Sequence, residues 1–359
     1  MDMTLLRHKF GGTTFTKVAD SEDLKEALDD TWMESETVVI KPNWVDVEPG
    51  GFIDAEIMRT LFEALDSRIV VTESLHLGRS FNLLPDGMAF TADGEEVNWR
   101  WLLKGDGWEW LYDKPDWGWF KEGGHWEQIV REDEAFLDEQ GFTDLFEEFG
   151  VEYVNTTDEV WRGRHADPVE VKGAVESRFT PVHYERMYGM VPQRLYDLRG
   201  STFISLARLK QYATFTLKNM FGMIVDPMRS WWHGPGNDRI ASSIVDINKV
   251  YHSLFNVHGV LASLYGTAVP NPEGEHLGEY MGRYDMVEGF GFVACGRDLV
   301  SIDSLLMGLT EGRIGVAERV NSEPIRLAEE EKLGASDDRT LEEARAKVGG
   351  WFTPCALAV

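Results

Sequence analysis

TVVIKPN at Thr37–Asn43, DAEIMRTLFEAL at Asp54–Leu65 and SRIVVTES at Ser67–Ser74 follow one another closely in the chain. The first is a short β-branched run stopped by Pro42. In the second, Ile57, Met58, Leu61, Phe62 and Leu65 share one helical face. The third is another β-branched run. Strand, helix and strand at these lengths form a βαβ unit, which requires parallel strands and a right-handed crossover. Similar units recur further on. STFISLARLK at Ser201–Lys210 reads as a strand and leads to the helix-like TFTLKNMFGMI at Thr214–Ile224. A helix with Ile240, Ile244, Ile247, Val250 and Leu254 on one face runs into the apolar HGVLASLYG. Phe292–Ala294 is a short strand, and Asp298 is placed to cap a helix holding Leu299, Ile302, Leu305 and Leu306. The tail from Glu323 is polar and helical, with Thr340 and Glu343 spaced as a capping box.

Between these halves Trp99-Arg-Trp101, Trp108-Glu-Trp110 and Trp117-Gly-Trp119 recur at a fixed interval, separated by turn-like KGDG and DKPD. In a strand, a W-x-W pair puts both rings on one face, so the pattern predicts an antiparallel meander. Its rings would form the insertion's own core, or an aromatic lid over a ligand. The expected architecture is α/β, with a mainly parallel sheet, helices on both faces and a Trp-rich antiparallel insertion. Residues 1–79 and 151–322 make one discontinuous α/β domain, 80–150 the insertion and 323–359 a helical tail.

Composition narrows the function. Against 35 basic residues stand 62 acidic ones, for a net charge of −27. Nucleic acid and anionic membrane both reward a basic face and are not expected as partners. The acidic residues are spread along the chain, which suits a salt-rich cytoplasm and an ordinary acidic protein alike. Cys295 and Cys355 are the only cysteines. Two thiols make neither a disulfide framework nor a Cys-type zinc site nor an iron–sulfur cluster. The start MDMTLLRHKF lacks the apolar run of a signal peptide, and no stretch is long enough to span a bilayer, so a cytoplasmic location is expected.

In open parallel sheets ligands bind beyond the carboxyl ends of the strands. Lys41 and Asn43 follow the first strand, Glu73 and His76 the second, and Arg208 and Lys210 a later one. Lys218 and Asn219 come on the next helix, then Arg229 and His233 on the loop beyond. Taken singly, a Lys at a strand end is commonly just solvated, and a lone His is commonly an ordinary hydrogen-bonded residue. Lys218 differs, because it lies in an apolar helical stretch where an amine must be paired or used. Together Lys41, Arg208, Lys210, Lys218 and Arg229 would gather positive charge in an acidic protein, which points to a carboxylate or phosphate ligand. No Walker A loop, G-x-G-x-x-G fingerprint or G-x-S-x-G elbow is present.

VVIKPN at Val38–Asn43, LARLKQYATFTLKNMFG at Leu206–Gly222 with His233 after it, and GRDLVSIDSLLMGL at Gly296–Leu309 resemble the family called domain of unknown function 362. Many members carry ferredoxin-like Cys clusters, which this chain lacks. A more distant likeness is to nickel-pincer lactate racemases, which use a Lys to tether a cofactor and a downstream His as a metal ligand; Lys218 and His233 have a comparable separation. The expected function is an enzyme acting on a small anionic metabolite. Lys218, His233 and Glu73 would be catalytic, and Lys41, Asn43, Arg208, Lys210, Asn219 and Arg229 would bind substrate. His76 and His233 would be the ligands of any divalent metal. The alternative is a non-catalytic protein that binds or delivers a metal or cofactor. The sequence is also compatible with an oligomer.

Overall fold

The computed structural model describes residues 5–29, 35–45, 47, 51–80, 89–103, 105–209, 214–263, 267–276, 283–287, 290–311, 319 and 322–352. The strands in chain order begin with β1 (Arg7–Phe10), β2 (Thr13–Lys17), β3 (Thr37–Pro42) and β4 (Arg68–Glu73). Next come β5 (Ala89–Ala92), β6 (Glu95–Asn98), β7 (Glu152–Asn155), β8 (Thr202–Arg208) and β9 (Asn256–Ser263). The last are β10 (Thr267–His276), β11 (Arg283–Val287) and β12 (Phe292–Gly296). Eight of them form one sheet in the order β1-β2-β12-β9-β8-β3-β4-β7. Strands β9, β8, β3, β4 and β7 run parallel, as the βαβ spacing requires. The sheet is completed by β12, β2 and β1, all antiparallel to their neighbours. The other four strands form two separate antiparallel hairpins, β5 with β6 and β10 with β11.

Period-two alternation divides the core between the two faces of the sheet. Val38 and Ile40 of β3 join one apolar layer with Ile57, Met58, Leu61 and Phe62 of the helix Ala55–Glu63. Asp54 starts that helix by accepting from the Ile57 N–H at 2.9 Å. Phe136 and Phe142, from the helices Trp126–Glu139 and Phe142–Phe149, lie in the same layer. Val39 faces the other layer, among Ile244, Ile247 and Val250 of the helix Ile240–Leu254 and Ile302 and Leu306 of the helix Leu299–Thr310. With both faces covered, the central strands read as unbroken apolar runs. Each such buried side chain contributes about 1.5–3 kcal/mol.

The insertion contains an antiparallel hairpin, β5–β6, but its three W-x-W pairs lie beyond it on short helical segments, Trp99–Leu103, Asp106–Trp110 and Gly118–Glu122, the last with Trp117 at its N-cap. Turn glycines defeat the expected meander. Gly105 takes φ +64°, and a Cβ on Gly107 would lie 1.8 Å from the Trp101 carbonyl oxygen. The chain therefore folds back on itself in tight turns, and the rings meet one another. Trp101–Trp110, Trp110–Trp119 and Trp117–Trp119 centroids are 5.6, 5.1 and 5.3 Å apart. At the other end of the chain Asp337, not Thr340, caps the helix Asp338–Val348 by accepting from the Arg339 and Thr340 N–H groups. Among the described residues no helix is long and apolar enough to cross a membrane.

Candidate functional site

The chain runs outward from β3 through β4 to β7 on one side, and from β8 to β9 on the other. Ligands bind at such a reversal in open α/β sheets. A cavity of about 160 Å³ opens there, beyond the ends of β3 and β8. Lys41 lines it from β3, Asn43 from just beyond β3, Arg208 from the end of β8 and His76 from the loop after β4. Lys218, Asn219, Arg229 and His233 line it from the segments that follow β8. Trp108 reaches in from the insertion, its ring 5.3 Å from that of His233, with Phe221 on another side of the imidazole at 5.4 Å. Four of the described lining residues are basic and none is acidic.

Glu73 is the exception among the expected site residues, because it does not line the cavity itself. It lies behind Lys41, with Oε2 2.8 Å from Lys41 Nζ, and both side chains are buried. Its other oxygen, Oε1, accepts from the Ser74 N–H at 3.1 Å. Lys41 Nζ also donates to Asn219 Oδ1 at 2.9 Å. The Asn219 amide is fully engaged: Oδ1 accepts from Asn43 Nδ2 as well (3.3 Å), and Nδ2 donates to the Lys41 carbonyl and to Ser205 Oγ, both at 3.0 Å. Its geometry is that of a residue positioning Lys41 and Asn43. Arg229 Nη2 donates to Ser74 Oγ and to the carbonyls of Gly222 (3.1 Å) and Ile224 (3.2 Å), which ties the loop after β4 to the turn after Asn219. Lys210 lies outside the described residues.

Burial and nearby cations set the protonation states. Burial lowers the Lys41 amine to about 8, with Glu73 opposing the shift and the Arg229 and Arg79 charges adding to it. Burial and the Lys218 charge lower His233 to about 4, and burial with Arg229 and Arg79 holds His76 well below its ordinary value. Both imidazoles are therefore neutral at pH 7. His233 Nδ1 lies 3.0 Å from Asn237 Oδ1. In the tautomer that donates there, Nε2 keeps its lone pair. Thr214 and Asn43 line the cavity, and Thr214 Oγ1 and Asn43 Oδ1 are buried with no hydrogen-bond partner among the described residues. A polar ligand would satisfy such orphaned groups. Among the described residues no group of three His, Cys, Asp or Glu side chains is placed to hold a metal ion, so His76 and His233 stand together without a third such ligand.

One residue that organises the site escaped the reading of the sequence. Asp303, buried on the helix Leu299–Thr310, accepts from the N–H groups of Phe215 (2.8 Å), Thr216 (2.8 Å) and Leu217 (3.0 Å), and from Thr216 Oγ1 (2.6 Å). It thereby anchors the first turn of the helix Thr216–Asn219 that presents Lys218 and Asn219. Burial raises its pKa to about 6, against the lowering effect of those bonds. A carboxylate in the otherwise apolar LVSIDSLLMGL was the available signal.

The fold is α/β, with a cation-lined cavity at the topological switch of its sheet. The chain belongs to the family described as domain of unknown function (DUF362), whose model matches residues 38–307. The match covers the first two sequence motifs that carry the resemblance, the third as far as Met307, and all the lining residues named above. No curated protein and no solved structure matches the chain.

Proposed function

We propose that the chain is an enzyme acting on a small carboxylate or phosphate bound in this cavity. The observation that carries the reading is the lining itself, with four basic side chains and no acidic one among the described residues, in a protein of net charge −27. A cation cluster maintained against so strong an opposing field favours an anionic ligand. In this reading Lys218 and Arg208 hold the anion, while neutral His233 is poised to accept a proton from it. Trp108 covers the bound molecule, and the cavity volume suits a metabolite of a few carbon atoms. A second reading, a protein that binds or delivers a metal or cofactor without turnover, draws support from the two neutral imidazoles facing one cavity.

Calorimetric titration with phosphate and with malonate at low salt, on wild-type protein and Lys218→Met, tests the first reading. Saturable binding by at least one anion is expected, weakened by about 1.5–3 kcal/mol in the variant, the range for a hydrogen bond to a charged group. No binding of either anion, together with stoichiometric metal in protein purified without chelator, favours the second.

A further inference from the structure

We propose that Lys41 is a second proton-transferring group of this cavity, across from His233, and that Glu73 behind it is the positioning residue that shares its proton. This rests on the enzyme reading above and reverses the roles that sequence position suggested. Lys41 lines the cavity and Glu73 does not. Nζ forms an ion pair with Glu73 Oε2 at 2.8 Å and donates to Asn219 Oδ1 at 2.9 Å. Lys41 also lines the cavity, where a further N–H of the ammonium or the lone pair of the amine can meet a ligand.

The backbone opposite makes room for this pair. A Cβ on Gly222 would lie 2.2 Å from Lys41 Nζ and 2.7 Å from Glu73 Oε1, so only glycine admits both groups as placed. If the site needed only a fixed charge at the end of β3, a half-exposed Lys or an Arg would serve without burial. Lysine, unlike arginine, can release its proton when desolvated. The charged and titratable groups around it are Glu73 from β4, Arg79 and His76 from the loop beyond, and Arg229, Lys218 and His233 across the cavity. Burial, with Glu73 opposing it and the Arg229 and Arg79 charges adding to it, brings the amine to about 8, so both protonation states are accessible near neutrality.

The step balances without any further reactant. A substrate X–H gives its proton to the Nζ lone pair, the X–H electron pair stays on the substrate, and the new ammonium shares its charge with Glu73 Oε2. The reverse step returns the proton to the substrate.

The test is an NMR titration of full-length protein carrying ¹³Cε-lysine, with Lys41→Arg to assign the signal. The Lys41 midpoint should lie near 8, whereas exposed lysines titrate near about 10.4. Glu73→Gln should move it lower, and saturating phosphate should move it higher. Where Glu73→Gln does not fold, Glu73→Asp, which retracts the carboxylate, should also lower it. A midpoint close to that of exposed lysines, or one that ignores both Glu73 substitution and phosphate, overturns the proposal. Heat from phosphate with an unmoved Lys41 signal overturns the role of Lys41 and leaves the anion site standing. A low midpoint that follows Glu73, with no heat from phosphate or malonate, supports the pair and overturns the anion reading.

Discussion

Lys41–Glu73 and Arg79–Asp133 are buried to the same degree, with 1% and 2% of the two side chains exposed in each pair, yet their surroundings differ. Arg79 donates to Asp133 through Nε (2.7 Å) and Nη2, and to the carbonyls of Trp44 (2.8 Å) and Ser74 (2.9 Å). The second Asp133 oxygen accepts from Tyr153 (2.9 Å) and Asn155 (2.8 Å). That pair is closed on every side and fastens the helix Trp126–Glu139 to the ends of β4 and β7. The lysine pair is closed on one side only and meets the cavity on the other. The contrast separates a fastener from a site: an arginine that cannot lose its charge is sealed in, and a lysine that can is left at the wall.

The largest effect is expected at the sealed pair. Asp133→Ala leaves a guanidinium buried without its carboxylate and should cost about 3–5 kcal/mol in chemical denaturation. Glu73→Gln should cost less, about 1–3 kcal/mol, because Lys41 can neutralise itself where Arg79 cannot. Equal losses in the two variants would break the comparison. Gly222→Ala should cost about 1–3 kcal/mol, the usual range for overpacking, and should displace Lys41, so that its NMR midpoint shifts while Arg79 and Asp133 are undisturbed.

The pH dependence sharpens the same distinction. Folded Lys41 titrates near 8 against an ordinary 10.5, so between these values the unfolded chain holds more protons. On this account stability rises with pH across that window, and Lys41→Met should flatten the rise. Asp303 gives the opposite slope. Its folded pKa of about 6 lies above the ordinary 3.8, so stability is lost as pH rises from about 4 through 6. The two slopes are separable by urea denaturation at a series of pH values. The smallest effect on the fold is expected for Lys218→Arg, within about 0.5 kcal/mol. It should keep most phosphate affinity if Lys218 only holds the anion. Loss of turnover with binding intact would mean that the Lys218 amine itself reacts.

The parallel half of the sheet was legible because a strand buried on both faces must be a continuous apolar run, and VVI at Val38–Ile40 and IVV at Ile69–Val71 are such runs. The antiparallel edge was not, since RHKF and TTFTK carry little apolar alternation of their own and gain their burial from β12 and the C-terminal helices. Strand ends pointed to the cavity, since Lys41 and Arg208 lie at the ends of β3 and β8 and Asn43 and His76 follow β3 and β4. They could not show that Glu73 turns towards Lys41, because that depends on how β3 and β4 are staggered and on the space at Gly222. The Trp repeat was misread in its local structure because a W-x-W spacing fits a strand face, whereas Gly105 and Gly107 let short helices stack the rings instead.

The most direct test of the cation-lined cavity as the site is a crystal structure of the wild-type chain grown with malonate at low ionic strength. The expected result is a carboxylate within about 2.7–3.2 Å of Lys218 Nζ or the Arg208 guanidinium, covered by Trp108, with the Arg79–Asp133 pair unchanged. A cavity holding only water, with malonate bound elsewhere on the molecule, would contradict it.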